Sequence, residues 1–118
     1  MSTAVNRGDI VIVELDPTKG SEQQGTRPCL VVQNDIGNEN APTTIVAPCS
    51  TSFGDDLYPF EVFIDADDTA VTEDTVVMCN QLRTVSIEHR IRKSVGSIPD
   101  ARMEDVDRAL EYSLGLTE

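Results

Sequence analysis

The chain has 118 residues, which is enough for one hydrophobic core and too few for a second domain of any size, so we expect a single domain over residues 1–118. It carries 21 acidic and 9 basic residues, a formal net charge of −12, and its only lysines are Lys19 and Lys93. Such a surface is typical of a protein adapted to a high-salt cytoplasm or of one that is simply soluble and acidic, and it argues against binding that relies on a broadly basic face.

Two strands joined by a polar loop open the chain. Apolar residues run from Ile10 to Leu15 and again from Cys29 to Val32, while Thr18 to Gly25 between them is rich in glycine, glutamine and serine. This order predicts strand, long loop and strand, with Arg27-Pro28 opening the second strand.

A reversal and a third strand follow. The segment from Asn34 to Pro42 contains a Gly-Asn pair that tolerates positive φ, and it predicts a turn that the side chains of Asn34 and Asp35 close by hydrogen bonds to the backbone. The apolar run from Thr44 to Cys49 predicts the third strand.

The second half of the chain predicts shorter elements after an irregular loop. These are strands at Phe60 to Ile64 and Thr75 to Cys79, a helical turn capped by Ser86 and ending at Arg90, and an edge strand from Ile91 to Ile98 with Val95 and Ile98 inward. The acidic residues Asp65, Asp67 and Asp68 predict a solvated turn rather than a calcium loop, because the glycine and final glutamate of an EF-hand are missing.

A helix is predicted from Asp100 to Leu116. Its apolar stripe recurs at three- and four-residue steps through Met103, Val106, Leu110 and Leu114. Glu104 and Arg108 have the spacing of a favourable i,i+4 ion pair. Several short strands followed by a terminal helix predict a small, mainly antiparallel barrel.

The potential metal ligands do not form a recognisable set. Cys29, Cys49 and Cys79 each lie in an apolar run without C-x-x-C spacing, so we interpret them as core residues, and His89 is the only histidine. We therefore expect no metal and no cofactor, and a surface role for His89. Because no apolar run approaches the roughly 20 residues of a membrane helix, we expect a cytoplasmic protein that does not bind a membrane.

Several motifs together closely resemble the MazF/PemK family of toxins. They are RGD from Arg7, DP-x-x-GSEQ-x-G-x-RP from Asp16, QNDIGN from Gln33, Q-x-R-T from Gln81 and the terminal SLGL. The resemblance runs from Arg7 to Leu116. It implies an SH3-like barrel of the CcdB/PemK type carrying helices, which agrees with the barrel predicted from the strand pattern.

The resemblance also implies an activity and partners. Toxins of this family, from type II toxin–antitoxin systems, are metal-independent endoribonucleases that cut single-stranded RNA at a short sequence. They leave a 2′,3′-cyclic phosphate and a 5′-hydroxyl. They are homodimers, and a cognate antitoxin neutralises them by lying along the dimer and blocking the RNA groove.

Arg27 is the residue that the resemblance assigns to catalysis. Its planar, permanently charged guanidinium can hold two phosphate oxygens at once, and its position between a loop and a strand leaves its head in solvent. Without the resemblance, a surface arginine bridging to Glu22 or Asp35 is an equally good interpretation.

A hydroxyl after the third strand is the family's second catalytic group, usually a threonine. The ungapped alignment places Ser50 there, and a one-residue shift places Thr51 there instead. Serine lacks the methyl group that restricts χ1 of threonine. Both hydroxyls could alternatively cap the loop backbone.

Six residues are candidates for RNA binding by the same resemblance. Four lie in the first loop and two in the Q-x-R-T segment: Ser21, Glu22, Gln23, Gln24, Gln81 and Arg83. We expect Gln81 to contact a base, and Arg83 to contact a phosphate or the dimer interface, with both side chains pointing the same way from an extended segment. The loop residues would otherwise form an ordinary solvated hairpin, and Arg83 a surface salt bridge.

A second hypothesis is a non-catalytic binding module on the same fold, similar to CcdB, which poisons gyrase, or a chain that only binds its antitoxin. CcdB-like chains lack the pairing of arginine and hydroxyl, whereas Arg27 and Ser50 are present here. The net charge of −12 opposes RNA binding, unless the acidic residues lie away from the groove or salt screens them. The retained pair favours the nuclease.

Overall fold

An antiparallel sheet and a C-terminal helix form the fold of the computed structural model, which describes residues 4–66 and 71–117. The strands in these residues are β1 (Asp9–Glu14), β2 (Thr26–Val31), β3 (Thr43–Ser50), β4 (Glu61–Ile64), β5 (Thr75–Met78), β6 (Arg83–Ser86) and β7 (Ile91–Ser97). The helices are α1 (Asp35–Asn40), α2 (Ile87–Arg90) and α3 (Asp100–Ser113). The predicted mainly β architecture with a C-terminal helix is confirmed.

β3 is the central strand, and it changes partners along its length. The spatial order is β4-β5-β3-β2-β1-β7, and β6 also pairs with β3. The first half of β3 pairs with β6, from Thr43 to Val46, whereas Cys49 and Ser50 pair with β5. Because β2 pairs with the middle of β3, the strand joins two parts of the sheet, as in a small barrel.

The central strands of the sheet are buried on both faces. One face packs with α3 in a cluster that includes Leu30, Ala47 and Val106, and the other face forms a second cluster that includes Cys29 and Val46. Adjacent residues of β2 and β3 alternate between the two clusters, as the two-residue period of a strand requires. The nearly continuous apolar runs of these strands follow from this double burial.

The predicted reversal after β2 is instead the short helix α1. Asn34 is its N-cap, since its Oδ1 accepts a hydrogen bond from the Gly37 backbone N–H at 2.7 Å. Asp35 Oδ1 accepts one from the Arg7 backbone N–H at 2.7 Å. The predicted closure of this segment is confirmed for Asn34, whereas Asp35 bonds the backbone of Arg7 outside it, and the backbone from Asp35 to Asn40 is helical.

Two inward positions were predicted wrongly. Val95 is 38% exposed, because it is the extra residue of a bulge between the Ile10–Gly96 and Val11–Ser94 pairs, whereas Ile98 is buried as predicted. Leu114 is 57% exposed, because α3 ends at Ser113 before the apolar stripe does.

The remaining predictions on α3 and its neighbours have mixed outcomes. Arg108 pairs with Asp105 and not with Glu104, so the predicted ion pair is wrong. The three cysteines are buried and free, as predicted. The predicted acidic turn lies mostly outside the described residues, because Asp67 and Asp68 are not among them. Across the residues that are described, no helix is long and apolar enough to cross a membrane.

Candidate active site

Arg27 lies at the start of β2, opposite Val13 of β1, and is half-buried. Its Nε donates a hydrogen bond to the carbonyl of Gln24 at 2.8 Å. The acidic partners considered for it are engaged elsewhere, since Glu22 Oε1 accepts from the Lys19 backbone N–H at 2.6 Å and Asp35 accepts from Arg7. Within residues 4–66 and 71–117 Arg27 makes no ion pair, so its two Nη groups are available to an anion.

Ser50 ends β3 on the same face of the sheet as Arg27. Cys29 of β2 pairs with Pro48 of β3. Arg27 lies two residues before Cys29 and Ser50 two residues after Pro48, so in these antiparallel strands both side chains point to the same face. Ser50 Oγ accepts a hydrogen bond from the Ser52 backbone N–H at 3.1 Å and contacts the Ser52 carbonyl at 3.2 Å, so it does cap the loop backbone. Thr51 follows the strand and is exposed.

Two guanidinium groups lie close to the Cys29 thiol. Burial raises the pKa of Cys29 to about 12, and the nearby positive charges of Arg27 and Arg83 partly oppose that rise. The thiol is therefore neutral and serves as packing beneath the site. The two arginines concentrate positive charge at one end of the second core cluster.

Arg83 is half-buried, and its Nη1 donates to the carbonyl of Leu15 at the end of β1. Arg90 supports the same backbone, since its Nη1 donates to the Glu14 carbonyl at 3.2 Å and also to the Asp16 carbonyl. Arg90 was not selected from the sequence, because its role depends on the packing of α2 against β6 and β7. Together the two arginines fix the point where the first loop leaves the sheet.

A cavity of about 620 Å³ lies between the first loop and the turn after β5. Five of the six residues predicted to bind RNA line it, namely Ser21, Glu22, Gln23, Gln81 and Arg83. The rest of its wall consists of Leu15, Pro17, Pro48, Asn80 and Leu82. Gln24, Arg27 and Ser50 lie outside this lining. A cavity of the same volume between β4 and α3 contains none of the predicted site residues.

The first loop is held against the turn after β5 by Gln23. Its backbone N–H donates to Gln81 Oε1 at 3.0 Å, and its side-chain Nε2 contacts Met78 Sδ at 3.6 Å. Gln81 lies in a turn, closed by its own N–H to the Met78 carbonyl at 3.2 Å, and not in the extended segment that was predicted. It nevertheless lines the same cavity as Arg83.

The remaining titratable candidate, His89, does not line the cavity. His89 lies exposed on α2, 4.0 Å from the Glu88 carboxylate, and its backbone N–H donates to the Ser86 hydroxyl that caps the helix, as predicted. In the part of the chain that the structure describes, no group of three histidine, cysteine, aspartate or glutamate side chains could hold a metal ion.

Comparison with known proteins identifies the family. The chain is 40% identical over 114 residues to Endoribonuclease EndoA of Bacillus subtilis (strain 168), covering 97% of each chain. It is 36% identical over 112 residues to Endoribonuclease MazF of Staphylococcus epidermidis, covering 95% of this chain and 92% of that protein.

Solved structures show the same fold at lower identity. A mycobacterial endoribonuclease in complex with its cognate antitoxin superposes with a TM-score of 0.80 at 22% identity, over 98% of this chain and 99% of that one. MazF of Deinococcus radiodurans superposes with a TM-score of 0.79 at 23% identity, over 96% and 98%. The model of PemK-like, MazF-like toxins matches residues 6–114. The chain therefore belongs to the PemK-like, MazF-like toxins of type II toxin–antitoxin systems.

Proposed function

We propose that this protein is a toxin endoribonuclease that cuts single-stranded RNA at a short sequence without a metal ion. The observation that carries the proposal is Arg27, whose two Nη groups are free among the described residues, on the same sheet face as the hydroxyl of Ser50. The relatives that are named endoribonucleases support it, because they cover nearly the whole chain.

In the proposed reaction the ribose 2′-oxygen attacks the adjacent phosphorus and the bond to the 5′-oxygen breaks. The 2′-hydroxyl loses its proton, the departing 5′-oxygen gains one, and the products carry a 2′,3′-cyclic phosphate and a 5′-hydroxyl. Arg27 holds two phosphate oxygens and stabilises the charge that develops on them. Ser50 orients the phosphate through a hydrogen bond, for which its hydroxyl must leave the Ser52 backbone.

The cavity between the first loop and the turn after β5 suits an unstacked base. Its wall combines apolar side chains with the polar groups of Ser21, Gln23, Gln81 and Arg83. Single-stranded bases are recognised by such mixtures, through contact with their faces and hydrogen bonds to their edges. We propose that this cavity supplies sequence preference and that Gln24, which follows the lining residue Gln23, contributes.

The overall charge of −12 does not prevent RNA binding in this account. The positive charges of Arg27 and Arg83 both act on the Cys29 thiol, whereas α3, which packs on the other face of the sheet, carries a dense set of acids. Glu22 is the one carboxylate in the wall of the cavity, and it is turned toward the Lys19 backbone. Local positive charge therefore opposes the general repulsion.

We further propose that the protein acts in the cytoplasm as a homodimer and is neutralised by a cognate antitoxin. A mycobacterial neighbour of the same fold was solved with its own antitoxin. Light scattering should give twice the mass of the chain. Co-expression with the antitoxin should yield a complex that no longer cuts RNA, and a monomeric mass or a complex that cuts at the wild-type rate would contradict this part of the proposal.

The activity is tested by incubating the protein with a long defined RNA in excess EDTA, at low and at molar KCl, and mapping the ends. We expect cuts at one recurring short sequence, with 5′ ends that a kinase can phosphorylate without prior phosphatase treatment. An absence of cuts in any salt by folded protein would favour the non-catalytic binding module. Cuts that disappear with EDTA would contradict the metal-independent reaction.

A further inference from the structure

Two adjacent residues of the first loop connect Gln81 to Arg27. The Gln23 backbone N–H donates to Gln81 Oε1 at 3.0 Å, and the next residue, Gln24, accepts the Arg27 Nε–H on its carbonyl at 2.8 Å. The Gln81 side chain, in the turn after β5, and the Arg27 guanidinium, at the start of β2, are therefore linked through a single peptide unit of the loop.

The loop depends on this contact because its own backbone supplies few others. Its ends are Gly20, at φ 58°, and Gly25, at φ 78°, which adopt a left-handed conformation that a residue with Cβ would resist. The Glu22 N–H contacts the Lys19 carbonyl at 3.2 Å, which closes the first turn, and the Gly25 carbonyl accepts a hydrogen bond from the Leu15 N–H at 2.9 Å, which fixes the far end of the loop. Between these two points Gln23 is held by Gln81 and by the weaker contact with Met78 Sδ.

The contact also determines what Gln81 can offer to a substrate. Its Oε1 is occupied by Gln23, and among the described residues its Nε2 has no hydrogen-bond partner. While the loop is held, one lone pair of Oε1 is used and the Nε2 group of Gln81 is the donor that it offers to a base. We expect the base that contacts Nε2 to present a carbonyl or ring-nitrogen acceptor.

We propose that Gln81 is a positioning residue that acts on Arg27 through the peptide between Gln23 and Gln24. Its Oε1 fixes the loop, and the Gln24 carbonyl then fixes Nε of Arg27, so that both Nη groups face the phosphate. Its Nε2 simultaneously reads an acceptor on the base in the cavity. The catalytic consequence rests on the proposed function, whereas the contacts themselves do not.

Two substitutions at Gln81 separate these roles. Gln81→Glu keeps an oxygen acceptor for Gln23 and removes the donor to the base, and Gln81→Met removes both while keeping a similar length. Thr84→Ala, an exposed position on β6 outside the proposed contacts, is the matched control.

The first readout is hydrogen exchange of the Gln23 amide and of the Arg27 Nε–H, measured by NMR without RNA. Exchange at both sites should become about tenfold faster in Gln81→Met, and it should stay near the wild-type rate in Gln81→Glu and Thr84→Ala. Unchanged exchange in Gln81→Met, or exchange at Gln23 that changes without a change at Arg27, would overturn the proposal.

The second readout is RNA cleavage at low salt. Gln81→Met should lower kcat about tenfold, because Arg27 is no longer positioned, and Gln81→Glu should instead raise KM with a smaller change in kcat. An equal loss of kcat in both variants would overturn the positioning role. If the wild type cuts no RNA, the proposed function fails, and the exchange pattern alone then decides whether Gln81 positions Arg27.

Discussion

Arg27 and Ser50 lie on the same face of the sheet, each two residues beyond the paired residues Cys29 and Pro48 of neighbouring strands. At this point β3 leaves β2 and continues in register with β5, since Ser50 pairs with Val76. The two strands therefore diverge where the arginine and the hydroxyl emerge.

The hydroxyl at position 50 is tested by Ser50→Ala, Ser50→Thr and Thr51→Ala. We expect Ser50→Ala to lower kcat by about tenfold to a hundredfold, because a hydrogen bond to the reacting phosphate is lost. Ser50→Thr should retain activity or raise it, since its branched side chain has fewer χ1 rotamers. Thr51→Ala should cut at the wild-type rate.

These rates should be measured on one defined RNA, with circular dichroism to show that each variant is folded. Ser50→Ala also removes the cap of the Ser52 N–H, so a small loss of stability is expected in addition. A large loss of activity in Thr51→Ala, with Ser50→Ala active, would assign the role to Thr51 instead.

The three thiols should be unreactive in the folded protein. Burial raises the pKa of Cys29 and of Cys79 to about 12, and it raises the pKa of Cys49 as well. We expect no alkylation by iodoacetamide at pH 8 in buffer and three alkylated residues in denaturant, counted by mass spectrometry. Rapid alkylation of the folded chain would contradict the burial of these side chains.

The same shifts predict a loss of stability at alkaline pH. An exposed thiol ionises near pH 9, so between about pH 9 and 12 the unfolded chain releases protons that the folded chain retains. The free energy of unfolding should therefore be independent of these thiols below pH 9 and should fall as the pH rises above it. Cys49→Ala should show a shallower fall in its urea midpoint than the wild type.

Salt should stabilise the fold. At a net charge of −12 the acidic side chains repel one another, and the Debye length shrinks from about 10 Å at 0.1 M to about 3 Å at 1 M salt. The urea midpoint should rise with KCl, and cleavage should persist at molar KCl. The double variant Glu104→Gln and Glu111→Gln, at exposed positions of α3, should show a smaller increase of the urea midpoint with KCl.

A midpoint that does not change between 0.1 and 1 M KCl would contradict the interpretation of an acidic, salt-adapted surface. Loss of cleavage at molar KCl, with the fold intact, would contradict the view that salt relieves the repulsion between protein and RNA.

Asp35 should contribute to stability at neutral pH. Its pKa is lowered first by the hydrogen bond from the Arg7 backbone N–H, then by the Asn38 amide, with the charge of Arg7 adding less and burial opposing. A lowered pKa means that the contribution is present above the ordinary value near 4 and is lost as the pH falls through the folded value.

Asp35→Asn should accordingly lower the urea midpoint at pH 7, and the difference from the wild type should diminish below pH 4. Glu39→Gln, at an exposed position of the same helix, should leave the midpoint unchanged at pH 7. A difference that is constant from pH 7 to pH 3 would contradict a role for the ionised carboxylate.

The elements that the sequence predicted correctly are those with a clear apolar period. β2, β3 and β5 have nearly continuous apolar runs because the central strands are buried on both faces, β4 alternates, and the core of α3 follows from Val106 and its neighbours. β6 was missed because its four residues, RTVS, are mostly polar and, within residues 4–66 and 71–117, pair with β3 alone. α1 was missed because its glycine and asparagines have low helix propensity, which the Asn34 cap outweighs.

The site was predictable in its residues and not in its contacts. Sequence motifs selected Gln23, Gln81 and Arg83, and the structure places them around one cavity. The bond from Gln23 to Gln81 joins residues 58 positions apart and depends on the conformation of a turn, so no local pattern could indicate it. The same holds for Arg90, which reaches the end of β1 across 76 positions.

The most direct test of the account is the rate of RNA cleavage by Arg27→Ala, with Arg27→Lys and Arg108→Ala as matched variants. Arg108 is an exposed arginine on α3 that pairs with Asp105, so Arg108→Ala removes one positive charge, as Arg27→Ala does, but outside the proposed site. We expect Arg27→Ala to lower kcat by about a hundredfold to a thousandfold at the same cut sites. Arg27→Lys should recover part of the lost kcat, and Arg108→Ala should have the kcat of the wild type. A folded Arg27→Ala variant that cuts within about threefold of the wild-type rate would contradict the central claim that this guanidinium stabilises the transition state.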